Sequence, residues 1–305
     1  MTDLNKNKTQ FCLGISKPLN IFDENVRKLI NYSLEKKLYF HTSLSYPINF
    51  FFIKYLLNKK QRNKINFICK ILGDTKENFE KTIFLTKKKY GIEKIHIAQL
   101  INLPTLEPEF RNIENLNFNE FNKILDLMRE YKDKKIIDKV YLQILSKDNL
   151  EFCKKMNGYV DGFAFYANLK EIMLKKKVLE FIIKENIPSI VLSVFGNPDK
   201  KVSNENLHID SYKFSQSFFS KNTIAVGRTL NIKRIDEIVN LKILNKTNYN
   251  PTFLETNEMQ DTAQNFYRRY RVTTMSYIFI FIFKCLVKKI IGKLFSLLLK
   301  YRIIN

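Results

Sequence analysis

Four side chains able to carry a proton or donate a hydrogen bond fall at matching places in the first half of this sequence. His41 and Tyr46 lie at and just beyond the end of the second in a series of short apolar runs. Lys70 ends the third, and Asn102 stands just past the fourth. In isolation, a tyrosine in a loop is more often a packed or surface aromatic than a catalyst. Lys70 is less ordinary, because a lysine is almost never fully buried without a partner and this one closes the apolar segment Ile65–Lys70. His41 alone reads as a satisfied structural histidine. His96 alternates with apolar neighbours and is expected to face a helix layer, while His208 reads as a surface residue. Three scattered histidines without carboxylates at ligand spacing make no metal motif. There is no GxGxxG and no Walker loop, and the two-glycine segment Gly158–Gly162 is neither.

What the four polar residues can do depends on the elements that carry them. Eight apolar runs recur: Phe11–Ser16, Leu38–Thr42, Ile65–Lys70, Lys94–Leu100, Ile136–Ile144, Tyr159–Tyr166, Pro188–Ser193 and Thr223–Val226. Six of the seven start-to-start spacings fall between roughly 22 and 35 residues, the length of a strand plus a returning helix. The cadence predicts a closed (β/α)8 TIM barrel over residues 9–245, whose active site would sit at the carboxyl ends of the strands. His41, Tyr46, Lys70 and Asn102 would then share one mouth. Between the strands, helices are expected over Asp23–Lys36, Ile48–Asn58, Thr75–Tyr90 (Thr75 as N-cap, Gly91 as stop) and Asn119–Lys132. Others are expected from a Ser146 cap through Met156, over Leu169–Asn186, within Asn206–Ser220 and over Asn231–Leu244.

In pattern and order, over about 235 residues, the chain resembles the aldo/keto reductases. That family's second strand ends in Asp-Thr with a Tyr five residues after the Asp; here the segment is FHTSLSY, with His41, Thr42 and Tyr46. Its third strand ends in Lys, as NFICK does in Lys70. Its fourth ends in His-x-Pro, here Asn102-Leu103-Pro104. A Ser-Asn pair after its fifth strand is matched by Ser146 with Lys147 second, and its eighth strand leads through a glycine as AVGRTLNIKRIDEIVN does. The resemblance implies NADPH-dependent reduction of an aldehyde, ketone or sugar carbonyl. Tyr46 would be the proton donor, its phenol (ordinarily near pKa 10) lowered by the Lys70 ammonium. Asn102 would donate a hydrogen bond to the carbonyl oxygen, and His41 would stand where the family has the Asp that charges the Lys. The resemblance further implies NADP(H) contacts from Ser146, Phe195, Arg228 and Lys233. The chain departs from the family by carrying Phe163 and Ala164 where a strand-six Gln is usual. The competing expectation is a catalytically degenerate barrel acting as a scaffold at a membrane-associated pathway.

Composition narrows the partners. The net charge is 52 − 30 = +22, but the cations are overwhelmingly Lys, overused together with Asn, Ile and Phe as an AT-rich coding sequence would produce. A phosphate-reading surface draws more on the bidentate fork of Arg, so no specific nucleic-acid function is expected. Cys12, Cys69, Cys153 and Cys285 form no CxxC pair and read as reduced, buried thiols. The amino terminus has no apolar run of the secretory kind. A cytoplasmic protein is therefore expected. Residues 246–271 read as a linker and 272–305 as a helical tail. From Arg268 onward there are nine basic residues and no acidic one. On a helical wheel Lys284, Lys288, Lys289, Lys293 and Lys300 fall in one half, with Phe283, Leu286, Val287, Ile290, Ile291, Leu294, Leu297 and Leu298 in the other. The uncharged run is too short to span a bilayer. A helix lying on the anionic inner face of a membrane, or against a partner, is expected, the alternative being a helix folded onto the barrel's own flank.

Overall fold

The computed structural model describes residues 10–15, 22–46, 49–101, 118–145, 148–195, 207–218, 222–241, 251–253, 279–280, 282–287, 289–291 and 293. Within them, β1 (Gln10–Gly14), β2 (Tyr39–Ser43), β3 (Asn66–Leu72), β4 (Ile95–Ile101), β5 (Ile137–Gln143) and β6 (Gly162–Tyr166) are six barrel strands. A short β7 (Glu171–Ile172) lies outside the barrel, and β8 (Ser189–Leu192) and β9 (Thr223–Gly227) complete it. All eight pairings are parallel, and β9 returns to β1 to close the (β/α)8 barrel. A barrel strand is buried on both faces, which is why these segments read as nearly unbroken apolar runs.

Alternation divides the core into two shells. Cys12, Ile68, Ile97, Tyr141, Ala164, Ile190, Leu192, Ile224 and Val226 pack against one another inside the barrel. Their neighbours in sequence, such as Phe67, Cys69, Ala98, Phe163 and Phe165, belong to the larger shell between strands and helices. Because β3 continues through Ile71 and Leu72, Lys70 is not its last residue. By parity Lys70 shares the interior face with Ile68, as His41 does with Tyr39 and Gln99 with Ile97.

The covering helices are α1 (Glu24–Glu35), α2 (Asn49–Leu56), α3 (Lys59–Arg62), α4 (Lys76–Tyr90), α5 (Phe118–Asp133), α6 (Leu150–Met156), α7 (Lys176–Lys184), α8 (Leu207–Phe218) and α9 (Ile232–Asn240). Their ends follow local chemistry. Thr75 Oγ1 accepts from the Asn78 N–H at 3.1 Å to start α4, and Gly91 stops it in the left-handed conformation at φ 63°.

Two expected helices begin later than the sequence suggests. The helix assigned a Ser146 cap starts at Leu150, because Asn149 Oδ1 takes the Phe152 N–H at 2.7 Å; Ser146 itself lies outside the described residues. The helix expected over Leu169–Asn186 occupies only Lys176–Lys184. Asn168 Oδ1 accepts from the Lys170 and Glu171 amides at 3.0 and 3.3 Å, a side-chain turn that competes with helix. The freed segment forms β7, which pairs in parallel with β10 (Thr252–Phe253). His208, expected at the surface, is buried between α8 and α9, where its Nε2 meets Glu237 Oε2 at 2.5 Å.

The tail touches the barrel along one line. Ile282 packs on the main core, Cys285 is buried, and Lys289 Nζ lies 5.2 Å from the centre of the Phe22 ring. Phe279, Ile280, Phe283, Leu286, Ile290 and Ile291 are exposed. Among the described residues no helix is long and apolar enough to cross a membrane.

Candidate active site

The turn leaving β2 positions the first of the expected residues. Ser43 Oγ and Ser45 Oγ are 2.8 Å apart, the Ser45 N–H donates to Ser43 Oγ, and the Tyr46 N–H donates to the Ser43 carbonyl at 3.1 Å. On the outer face the buried Tyr90 hydroxyl bonds both Thr42 and the Ser43 carbonyl. Burial pushes that phenol far above the ordinary tyrosine range, so Tyr90 is a protonated strut. At the start of α2 the buried Asn49 amide donates to the Ile15 carbonyl after β1. These bonds fix a short, sharp turn that carries Tyr46 back over the mouth.

Three of the four expected catalytic residues meet there. Lys70, 1% exposed, has its Nζ 5.8 Å from the centre of the Tyr46 ring. The His41 ring, 4% exposed, is centred 6.3 Å from Tyr46 at an interplanar angle of 56°. Asn102 lies outside the described residues.

The sequence reading missed two further residues on this face. His41 Nε2 is 2.8 Å from Gln99 Oε1, and Gln99 Nε2 donates to Gln143 Oε1 at 2.8 Å. Both glutamines are buried. Their signal was available in parity: Gln99 follows Ile97 and Gln143 follows Tyr141 at the strand period, so each is a polar residue on the interior face near a carboxyl end.

Beside this layer opens a cavity of about 350 Å³, lined among others by His41, Tyr46, Tyr166, Leu192, Phe195 and Arg228. A second, more open cavity of about 800 Å³ shares Arg228, Thr229 and Leu230 with it and continues past Asp23 to Lys233 and Arg234. The two form one groove, from Tyr46 to the amino end of α9, where Asn231 Oδ1 takes the Lys233 N–H at 3.0 Å. Phe195, Arg228 and Lys233 line the groove, while Ser146 is outside the described residues.

One wall of the groove depends on glycine. A Cβ on Gly227 would fall 2.4 Å from Phe195 Cε2 and 2.8 Å from Phe11 Cε2, so the Phe195 ring lies directly on the β9 backbone. Backbone strain points to the same place. Of the four described non-glycine residues with positive φ, Lys37, Lys135 and Asn186 sit in turns entering strands, whereas Ser193, at φ 57°, leaves β8 into the cavity.

Three further titratable groups of the interior are held in their neutral forms. Burial raises the Cys12 and Cys69 thiols and, first among its causes, the Tyr141 phenol. Among the described residues no group of histidines, cysteines and carboxylates could hold a metal ion.

No family model matches the chain, and no curated protein matches it by sequence. Solved structures do match by fold. An aldo-keto reductase from Klebsiella pneumoniae in complex with NADPH superposes with a TM-score of 0.56 at 7% identity, covering 76% of this chain and 88% of that one. The aldo/keto reductase of Brucella melitensis gives 0.53 at 12%, covering 86% and 94%. One from Bombyx mori in complex with NADP gives 0.52 at 10%, covering 86% and 88%. At such identities the likeness is one of fold: the chain has the (β/α)8 barrel that these structures share.

Proposed function

We propose that this chain is a divergent aldo/keto reductase that uses NADPH to reduce an aldehyde, ketone or sugar carbonyl. The observation that carries the proposal is convergence. Tyr46, Lys70 and His41, on two strands and a turn, meet at the head of a groove whose far end is cationic. When bound, NADPH would supply the hydride. The residues present fit such a molecule, with aromatic and aliphatic walls (Tyr166, Leu192, Phe195) beside Tyr46 and cations (Arg228, Lys233, Arg234) about the amino terminus of α9. A helix amino terminus with basic neighbours favours a phosphate.

Tyr46 is the proton donor in this reading, its hydroxyl giving a proton to the developing alkoxide. Lys70, buried and facing the Tyr46 ring, favours the phenolate left behind. Asn102 is proposed as the second hydrogen-bond donor to the carbonyl oxygen and Ser146 as a further cofactor contact, both by resemblance. The buried interior layer keeps water away from the reacting face. The degenerate-scaffold alternative has no observation in its favour. The test is calorimetric titration of NADPH into the full chain, followed by turnover on a panel of carbonyl compounds. Failure of NADPH to bind at millimolar concentration would defeat the proposal.

The tail is proposed to rest on an anionic membrane surface. Its barrel-facing line is Ile282, Cys285 and Lys289, which leaves Phe279, Phe283, Leu286 and Ile290 turned outward beside Lys284 and Lys293. An exposed apolar stripe flanked by cations, in a segment without acidic residues, is the composition that anionic lipid selects.

A further inference from the structure

Gln143, Gln99 and His41 form a buried chain of hydrogen bonds that crosses three adjacent strands. Its polarity follows from the placement of the two side-chain amides. Gln143 Oε1 can only accept, so Gln99 presents its NH2 to it, at 2.8 Å. That turns Gln99 Oε1 toward His41, and since an amide oxygen can only accept, His41 Nε2 must donate to it, also at 2.8 Å. Burial shields the chain from water, with Gln99 at 0%, Gln143 at 3% and His41 at 4% exposure. A buried polar chain with every member partnered is rigid, and each member fixes the next.

We propose that Gln99 and Gln143 are positioning residues that lock His41 in one state, with its proton on Nε2 and Nδ1 as the acceptor nitrogen. This rests on the site proposed above. It explains how an imidazole can occupy a layer that also holds Lys70. His41 and Lys70 both approach the Tyr46 ring, at 6.3 and 5.8 Å, and a second cation beside the ammonium would repel it. A neutral ring whose only N–H is already committed adds no charge and offers an acceptor instead. The free imidazole exchanges its proton between both nitrogens, and the two glutamines remove that freedom. Neither glutamine touches the cavity, so each acts through His41.

The test does not require activity. The chain has three histidines, His41, His96 and His208, so nitrogen-15 histidine labelling of the full protein gives a short spectrum. His96→Gln and His208→Gln variants assign it. The expected wild-type signal for His41 is a single neutral ring with its proton on Nε2, exchanging slowly with water. Gln99→Leu should lose that slow exchange and mix the two tautomers. Gln99→Glu, which keeps an acceptor facing Nε2, should retain the Nε2 proton, and its retention guards against a merely unfolded Gln99→Leu. A proton on Nδ1 in the wild type, or a Gln99→Leu spectrum identical to it, would overturn the lock. Because these readouts are independent of NADPH, the lock can fail while the reductase proposal stands, and the reverse. If turnover is measured, Gln99→Leu should lower kcat and leave the NADPH Kd unchanged; a fall in NADPH affinity instead would make Gln99 a cofactor contact and overturn its positioning role.

Discussion

Adding one methyl group at Gly227 should damage cofactor binding as well as folding. The alanine Cβ would stand 2.4 Å from Phe195 Cε2, 2.7 Å from Cζ and 2.8 Å from Phe11 Cε2. Carbon atoms rest comfortably at about 3.5 Å or more, so the nearest ring edge must retreat by about 1 Å. Phe11 is 3% exposed inside the core and cannot give, whereas Phe195 is half-buried at the cavity wall and can. The Phe195 ring should therefore swing into the cavity of about 350 Å³. Overpacking costs about 1–3 kcal/mol where nothing can relax; Phe195 can swing clear but the Phe11 contact stays, so a folding cost within that range is expected beside the loss of binding. The displaced ring then occupies space that the nicotinamide end of NADPH would need. A binding loss of about 1.4 kcal/mol would appear as a tenfold rise in Kd. Calorimetric titration of Gly227→Ala against wild type reads the affinity, and thermal unfolding of the same samples reads the fold. The double variant Gly227→Ala with Phe195→Ala isolates the cause, because without the ring the added methyl should have little further effect on Kd. An unchanged Kd in Gly227→Ala, with the protein folded, would refute the placement of NADPH in this cavity.

Tyr46→Phe should cut turnover by about a hundredfold to ten-thousandfold, the usual worth of a positioned acid, while calorimetry finds NADPH affinity nearly unchanged. Arg228→Ala and Lys233→Ala should each weaken NADPH by about 1.5–3 kcal/mol if they meet a phosphate, and paired titrations with NADH should show which one reads the extra phosphate. Tyr90→Phe should destabilise the fold by about 1–3 kcal/mol by leaving Thr42 and the Ser43 carbonyl short of a partner, measured by urea unfolding. Sedimentation with anionic liposomes should carry down the full chain in a salt-sensitive way, each lysine near the surface contributing about 1 kcal/mol, and Phe283→Glu with Ile290→Glu should abolish it. The native protein should resist thiol reagents at neutral pH at Cys12, Cys69 and Cys153, whose pKa values burial raises, so that little thiolate exists until the pH is high.

The barrel was legible because its strands are buried on both faces and separated by segments of helical length, a signal that survives one or two misplaced ends. The ends themselves went astray where a side chain outbid the backbone: Asn149 took the cap expected of Ser146, and Asn168 turned the chain before α7. At the candidate site, the convergence of His41, Tyr46 and Lys70 on one mouth was legible from their spacing relative to the strand ends. Gln99 and Gln143 were not, because a glutamine within a strand looks ordinary until alternation is followed across neighbouring strands. His208 was misread because its partner Glu237 is far away in sequence, and nothing local marks a histidine that two helices will cover.

Label transfer tests the central proposal most directly. NADPH deuterated at the reactive carbon of its nicotinamide would be incubated with the full chain and a mixed panel of aldehydes, ketones and sugars, and the products examined by mass spectrometry. Deuterated alcohol is expected from at least one carbonyl with the wild type, and diminished by about a hundredfold or more with Tyr46→Phe. Binding of NADPH without label in any product, or label undiminished in Tyr46→Phe, would contradict the reductase site built on Tyr46 and Lys70.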